Sequence, residues 1–251
     1  MSSIAGIPPI SEDALVEESL ARSKTIPSAW YVDQRFHSFD RQAVLARTWQ
    51  YIGPSARVAK HGDFMSDIIA GNPVVIVRDA SDDLKGYFNV CKHRGGPLAM
   101  EECGHSKVLQ CKYHGWTYLL DGSLRGVPRF DRTELFDKKD FGLEPVALRE
   151  WQGMVFACIE PEYAPAFDDV VAGISERIAP MDLSGLSFNR RDRYQVSSNW
   201  KVYVDNYLEG YHIPLVHPDL CSMLDFGSYE TETMEHHSVQ FSPFRNDDNI
   251  Y

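Results

Sequence analysis

Short β-rich runs of apolar residues dominate the middle of the chain and predict a series of strands. Turn-forming residues separate these runs, as at Gly71–Pro73 between two of them and at Asp121–Gly122 after a third. The predicted strands are Phe64–Ile69, Val74–Arg78, Gly86–Val90, Val108–Cys111, Trp116–Leu120, Val146–Arg149 and Met154–Ile159. Short strands at this spacing are typical of a small all-β barrel or sandwich.

Helical patterns flank the β-rich region, and they begin at residues suited to helix caps. The elements predicted outside it are helices at residues 11–22, Asp40–Trp49, Phe167–Ile178 and Asn199–Tyr211, and a strand at Arg193–Ser197. The change of pattern after Pro161 places a domain boundary near residue 160. We therefore expect an N-terminal arm (1–40), a β domain (41–160) and an α+β domain (161–251), with the β domain inserted between the other two.

Composition narrows the class of protein. The chain has 251 residues, 43% of them hydrophobic, which is enough to form a core without disulfides. Lys and Arg number 25 against 36 Asp and Glu, a net charge of −11, so we expect no nucleic-acid partner. No apolar run approaches the ~20 residues of a membrane span, and the first residues do not resemble a secretory signal, so we expect no membrane partner.

Cysteine usage favours a reducing compartment. The five cysteines form an odd set at uneven spacing and are Cys91, Cys103, Cys111, Cys158 and Cys221. This spacing is a poor disulfide framework, so we expect a cytoplasmic protein in which a Cys pair near His indicates a metal site.

The strongest chemical signal is a pair of Cys–His motifs in the β-rich region. Cys91–Gly95 reads C-K-H-R-G, and Cys111–Trp116 reads C-K-Y-H-G-W. Two Cys and two His fit either a tetrahedral zinc site or a [2Fe-2S] cluster with Cys on one iron and His on the other. Zinc sites usually pair Cys with Cys and His with His, whereas both pairs here are mixed, which favours the cluster. Buried cysteines and hydrogen-bonded core histidines are the remaining interpretation.

A second group of metal-binding residue types follows on the last predicted helix. At helical spacing Asp205, Glu209 and His212 share one face. Pro214 is expected to end this helix, which lets His217 turn back beside His212. Two imidazoles and one carboxylate on one side of an iron form a facial triad that leaves positions open for dioxygen and substrate.

The Glu-x-x-His spacing within this group also occurs in di-iron helix bundles. The other copy of that spacing, Glu102–His105, falls in a glycine-containing loop between the two Cys–His motifs. A di-iron bundle needs both copies on helices, so the sequence disfavours it.

Together the two groups resemble the α subunit of Rieske-type non-heme iron oxygenases, the aromatic ring-hydroxylating dioxygenase family. C-x-H-R-G with C-x₂-H-G-W resembles the Rieske motif of this family, and N-W-K…D-N-Y-L-E-G-Y-H-x₄-H resembles its catalytic helix. The second stretch is most similar to choline, carnitine and glycine-betaine monooxygenases. The resemblance implies an α+β fold, in which an all-β Rieske domain is inserted into a helix-grip-like catalytic domain.

For the first group, the resemblance implies the ligands of one [2Fe-2S] cluster. Cys91 and Cys111 would hold one iron, and His93 and His114 the other. The extra loop cysteines of respiratory Rieske proteins are absent from both motifs, which is why the resemblance is to the oxygenases.

For the second group, the resemblance implies that His212 and His217 bind a mononuclear Fe(II). Glu209 corresponds to the carboxylate that bridges the two metal centres, and Asp205 and Asn206 would support the ligands from behind. The family's third ligand, an Asp much later in the chain, has no counterpart here. We therefore expect the catalytic domain to be C-terminally incomplete and the chain to be a fragment.

The implied activity is that of an oxidoreductase that acts on paired donors with incorporation of O2. A reductase or ferredoxin would deliver electrons from NAD(P)H to the cluster, and from there they would pass to the iron. The iron site would then hydroxylate or demethylate a small organic substrate, for which a quaternary amine is favoured. The implied assembly is a homotrimer, in which each cluster serves a neighbour's iron. Two alternatives stay open: an aromatic ring-hydroxylating dioxygenase α subunit, and a Rieske electron-transfer protein with a degenerate catalytic domain.

Aromatic residues accompany both groups. Trp116 directly follows a ligand motif and is expected either to shield the cluster from water or to be a plain core residue. Tyr203, Tyr207 and Tyr211 recur at helical spacing and are expected to line a substrate pocket, as in an aromatic cage for a methylated ammonium, or to pack in the core.

Overall fold

The computed structural model describes residues 22, 24–179 and 181–245, which form two compact units. The β unit comprises the described residues of Asp40–Phe167 and Gly173–Arg191. The mixed unit comprises the described residues up to Phe39, those of Asp168–Ala172 and those from Asp192 onward. The helix predicted at residues 11–22 lies, apart from Arg22, outside the described residues, and the domain limits at 40 and 160 stay predictions.

Ten strands make up the β unit within the described residues. They are β1 (Gln50–Pro54), β2 (Asp63–Ile69), β3 (Asn72–Arg78), β4 (Leu84–Phe88), β5 (Cys103–His105), β6 (Leu109–Gln110), β7 (Thr117–Tyr118), β8 (Leu124–Gly126), β9 (Pro145–Trp151) and β10 (Met154–Cys158). Seven form a sheet in the order β1-β10-β9-β4-β3-β2-β5, and β6-β7-β8 form a second sheet. Neighbouring strands run antiparallel, and every strand predicted for this region is present. The expected α+β class with an all-β domain is confirmed.

Strand β3 lies between two hydrophobic clusters. Val74 and Ile76 pack in one cluster, whereas Val75 and Val77 pack in the other, and all four are fully buried. Successive side chains of a strand point to opposite faces, so a continuous apolar run is what a strand covered on both sides requires. The cluster around Val75 and Val77 also contains both cysteines of the Cys–His motifs. The core therefore sets the position of the first candidate site.

Helices and one hairpin complete the described chain. The helices are α1 (Ala29–Val32), α2 (Gln34–Asp40), α3 (Phe167–Val170), α4 (Ile174–Arg177), α5 (Trp200–Tyr207), α6 (Ile213–Val216) and α7 (Pro218–Met223), with a π-helical turn at Arg41–Leu45. Single 3₁₀ turns lie at Ser55–Val58, Lys138–Phe141, Pro161–Tyr163, Leu183–Gly185 and Phe226–Ser228. Strands β11 (Glu230–Thr233) and β12 (Ser238–Phe241) form the antiparallel hairpin. None of the helices in the described ranges has the length and apolar character needed to span a membrane.

Four predicted elements outside the β-rich region differ from the structure, and one of them, the helix predicted at Asn199–Tyr211, ends at Tyr207 as α5. Phe167–Ile178 is not one helix, because Gly173 has a φ of 75° and separates α3 from α4. Arg193–Ser197 is not a strand, since it joins none of the three sheets of the described chain. The helix predicted at Asp40–Trp49 is found as α2 followed by the π-helical turn, so it starts and ends earlier than its pattern indicates.

Candidate metal centres

Two loops of the β unit bring together the four residues of the Cys–His motifs. Cys91 and Cys111 are each 2% exposed, and the ring centroids of His93 and His114 lie 4.7 Å apart. The loops share one backbone design, in which the glycine four residues after each cysteine donates its N–H to the carbonyl oxygen of that cysteine at 2.9 Å. Both glycines have positive φ, 71° and 74°, a conformation that glycine adopts without steric cost.

The donor set fits a [2Fe-2S] cluster. The Nδ1 atom of His93 is buried and has no hydrogen-bond partner in the described chain, which is costly for a polar atom unless a metal occupies it. Burial, followed by the charges of His114 and Arg94, lowers the pKa of His93 and favours the neutral imidazole that a metal requires.

The composition of the donor set matches this kind of cluster, because each loop supplies one thiolate and one imidazole. Two donors on each of two irons is the arrangement of a Rieske cluster.

Two aromatic side chains behind the cluster loops complete the local packing. Trp116 is 3% exposed and stacks on His93 with ring centroids 5.1 Å apart at 6°, so it is both a core residue and the cover of that imidazole. Tyr118, which the sequence analysis did not select, places its hydroxyl 3.5 Å from the Sγ of Cys91 and accepts the backbone N–H of Lys92 at 3.0 Å. The available signal was strand alternation, because Tyr118 is two residues beyond Trp116 and faces the same way.

The mixed unit brings the other two histidines together. The ring centroids of His212 and His217 lie 5.3 Å apart with the planes at 73°, so these imidazoles can converge on one ion. Helix α5 begins as predicted, with the side chain of Asn199 accepting the N–H of Lys201. It ends at Tyr207, however, and not at Tyr211.

This earlier helix end corrects the predicted geometry. Asp205, Glu209 and His212 do not share one helical face, because Glu209 lies in the turn after α5 and His212 caps α6. Pro214 does not break the helix either: it occupies the first turn of α6, where proline is tolerated. His217 then lies between α6 and α7, beside His212.

Glu209 holds His212 through two contacts. Its Oε1 lies 2.6 Å from Nδ1 of the His212 ring, and its Oε2 accepts the His212 backbone N–H at 3.2 Å. Burial alone would raise the pKa of Glu209, but these hydrogen bonds lower it below its usual value. A carboxylate on Nδ1 places the ring proton there and leaves Nε2 free to bind a metal.

Asp205 and Asn206, the other residues predicted for this site, lie on α5. Asp205 accepts the Tyr31 hydroxyl at 2.5 Å, while Asn199 donates its amide to the Tyr31 carbonyl at 3.0 Å, so one tyrosine contacts both ends of α5. Asn206 is exposed. Among the described residues, no carboxylate completes a three-residue metal site with His212 and His217.

The three tyrosines near α5 are not arranged as one cage. Tyr203 and Tyr207 have ring centroids 5.2 Å apart, whereas Tyr211 is 92% exposed and makes no ring contact with either of them in the described chain. Tyr203 lines a cleft of about 1090 Å³ together with Tyr31 and Trp200.

Comparison with known proteins places both candidate sites in described families. Residues 48–141 match the family described as Rieske [2Fe-2S] domain, and residues 183–248 match the family described as Ring hydroxylating alpha subunit (catalytic domain). The chain is 33% identical to the chloroplastic choline monooxygenase of Arabidopsis thaliana, over 88% of this chain and 55% of that protein. It is 33% identical to the glycine betaine monooxygenase oxygenase subunit of Pseudomonas aeruginosa, over 80% of this chain and 47% of that protein.

A solved structure agrees with these relatives. It is a quaternary ammonium Rieske monooxygenase, described in terms of carnitine oxidation and inter-subunit electron transfer. The TM-score is 0.79 at 30% identity, covering 87% of this chain and 60% of that chain. The chain spans about half the length of the curated relatives it matches.

Proposed function

Because the chain belongs to the family in which a Rieske [2Fe-2S] domain is joined to a ring-hydroxylating α-subunit catalytic domain, we propose that it is the oxygenase component of a quaternary ammonium monooxygenase. The observation that carries the proposal is the ring of His212, held by Glu209 at 2.6 Å and lying 5.3 Å from the ring of His217. The relatives support the substrate class, since their names specify choline and glycine betaine, and carnitine oxidation describes the solved structure.

Each set of residues has a defined task in this proposal. Cys91 and Cys111 are assigned to one iron of the cluster, and His93 and His114 to the other. When bound, the cluster and the mononuclear iron supply one-electron transfer and dioxygen activation. The buried position of the two cysteines would keep water from a cluster held there, and Trp116 fixes the ring plane of His93.

His212 and His217 are assigned as the mononuclear iron ligands. Glu209 keeps the proton on Nδ1 of His212, and as the family's bridging carboxylate it is assigned to connect the two metal centres. Asp205 and Asn206 are assigned to support the ligands, Asp205 through its bond to Tyr31.

The partners follow from the family. An oxygenase subunit of a Rieske system uses a reductase, a small-molecule substrate and O2, and we propose the same set for this chain, arranged as a homotrimer in the cytoplasm. The inter-subunit electron transfer of the related structure supports the oligomer, and five cysteines without a disulfide support the reducing compartment.

Metal analysis tests the proposal directly. The full chain is expected to carry three irons and two acid-labile sulfides, and to consume O2 with choline, carnitine or glycine betaine when a reductase is supplied. His217→Ala should lose one iron and keep both sulfides, whereas the matched change His236→Ala in the β11–β12 turn should keep all three irons. Two irons and two sulfides would favour the electron carrier, O2 uptake only with aromatic substrates would favour the dioxygenase, and zinc without sulfide contradicts all three.

A further inference from the structure

The β11–β12 hairpin contacts the end of the helix that precedes Glu209. The side-chain amide of Gln240 donates to the carbonyl oxygen of Tyr207, the last residue of α5, at 2.5 Å. The carbonyl oxygens in the last turn of a helix lack partners within the helix, so this bond satisfies one of them. Tyr229 in turn donates its hydroxyl to Oε1 of Gln240, which fixes the orientation of the amide.

Tyr229 also packs against the turn itself. Gly210, directly after Glu209, is buried, and a Cβ at this position would overlap the Tyr229 ring. Burial raises the pKa of Tyr229, and the negative charge of Glu209 raises it further. The hairpin and Tyr229, the residue directly before β11, therefore contact the turn on both sides of Glu209.

Glu209 needs such support because the core does not hold it in place. Its side chain is 44% exposed and its segment is neither helix nor strand, yet its contact with Nδ1 of His212 has a narrow geometry. A flexible turn would sample positions in which this hydrogen bond is broken, and a ligand ring without its partner is poorly oriented.

We propose that Tyr229 and Gln240 are positioning residues that hold the turn after α5, so that Glu209 stays on Nδ1 of His212. This inference rests on the proposed function, because it assigns the hairpin a role at the same mononuclear iron site. The hairpin acts through Glu209 and touches neither His212 nor His217 in the described contacts.

Binding of Co(II) alone tests the proposal without relying on turnover. The full chain, with its cluster loaded and its mononuclear site emptied by a chelator, is titrated with Co(II) and followed by optical absorption. Gln240→Leu and Gln240→Glu are both expected to weaken Co(II) binding by about 3- to 10-fold, less than the roughly 10- to 100-fold typical when a direct partner of a ligand is removed. Gln240→Glu keeps the acceptor for Tyr229 but loses the donor to Tyr207, so a wild-type affinity in this variant would overturn the role of the amide. Tyr229→Phe is expected to have a smaller effect in the same direction.

Matched controls separate positioning from general stability. Thr231→Val changes the residue opposite Gln240 in the same hairpin, and Tyr163→Phe removes an exposed hydroxyl elsewhere. Both are expected to bind Co(II) like the unsubstituted chain. Every variant is checked for the EPR signal of the reduced cluster and for thermal unfolding, so that a misfolded variant is recognised. If the Gln240 variants misfold, Tyr229→Phe, which preserves the shape of the side chain, carries the test.

A double substitution decides whether the hairpin acts through Glu209. If it does, Tyr229→Phe weakens Co(II) binding in the unsubstituted chain and has no further effect in Glu209→Ala. Full additivity, or unchanged affinity in the Tyr229 and Gln240 variants while Glu209→Ala is impaired, overturns the positioning role alone. Failure of the unsubstituted chain to bind Co(II) in a manner sensitive to His217→Ala overturns the proposed function as well.

Discussion

Replacing Tyr118 by Phe removes one hydroxyl beside Cys91, a proposed cluster ligand, and leaves the ring in place. That hydroxyl accepts the backbone N–H of Lys92 and lies 3.5 Å from the Sγ of Cys91. A metal-bound thiolate carries no proton, so with the cluster bound the hydroxyl would be the donor of this pair. A cluster sulfur becomes more negative on reduction, and a donor hydrogen bond to it then strengthens. The hydroxyl therefore stabilises the reduced state and raises the reduction potential.

The expected magnitude follows from the strength of one such bond. A typical hydrogen bond contributes about 0.5–1.5 kcal/mol, and the separation of 3.5 Å is at the long end for sulfur, which favours the lower part of that range. At about 59 mV per 1.4 kcal/mol for one electron, the lower part of that range means that Tyr118→Phe should lower the midpoint potential by roughly 20–40 mV. The Lys92 N–H also loses its acceptor, which should lower the free energy of unfolding by about 1–3 kcal/mol.

An EPR-monitored redox titration measures the shift. Tyr87→Phe is the matched control, because Tyr87 is 5% exposed, lies in the same hydrophobic cluster and donates its hydroxyl to the Leu120 carbonyl at 3.2 Å, away from the sulfurs. It should lose stability without a change of potential. An unchanged or raised potential in Tyr118→Phe, or an equal shift in Tyr87→Phe, would refute the reasoning.

Three further outcomes are expected. Trp116→Ala should lower the free energy of unfolding by about 3–5 kcal/mol, as for other buried aromatic side chains, which denaturant titration measures. It should also broaden the EPR signal of the cluster, and an unchanged signal would contradict the role of Trp116 beside His93. Asn199→Ala loses both the α5 cap and the amide bond to the Tyr31 carbonyl and should lower the free energy of unfolding by about 1–2 kcal/mol, whereas Asn199→Asp keeps the cap acceptor and should lower it less, as compared by urea unfolding. Hydrogen bonds from the Ser123 hydroxyl and backbone N–H lower the pKa of Asp121 in the folded protein. The ionised carboxylate therefore stabilises the fold fully above the pKa of an unfolded Asp, about 3.9, and this stabilisation is lost as the pH falls through the lower pKa of the folded protein. Asp121→Asn should therefore show a shallower loss of stability in acid, and an identical acid profile would count against the assignment.

The β unit could be predicted because its elements depend on local patterns. The continuous run Val74–Val77 predicts a strand covered on both faces, and both sets of neighbours are present. The two Cys–His motifs predict a shared site because each supplies one thiolate and one imidazole, and the ring separation of His93 and His114 agrees. Tyr118 was missed although its alternation with Trp116 was readable.

The mixed unit was harder to predict because its geometry depends on distant contacts. The helical pattern continues beyond Tyr207, yet α5 ends there, where Gln240 bonds its last carbonyl and Tyr229 occupies the space beside Gly210. Neither residue is close in sequence to the turn. The segment Arg193–Ser197 has a strand-like composition, but a strand forms only beside another strand. Sequence alone does not show that this segment joins none of the sheets of the described chain.

The burial of Cys91 and Cys111 affects how much of the protein persists in a cell. Both cysteines belong to the same hydrophobic cluster as Val75, Val77 and Tyr118, so a cluster bound at the proposed ligands would complete the core of the β unit. Metal binding of this kind contributes directly to folding, and chains that fail to acquire the metal populate open states accessible to proteases. The amount of this protein should therefore follow the supply of iron and sulfide, with unloaded chains degraded before they accumulate.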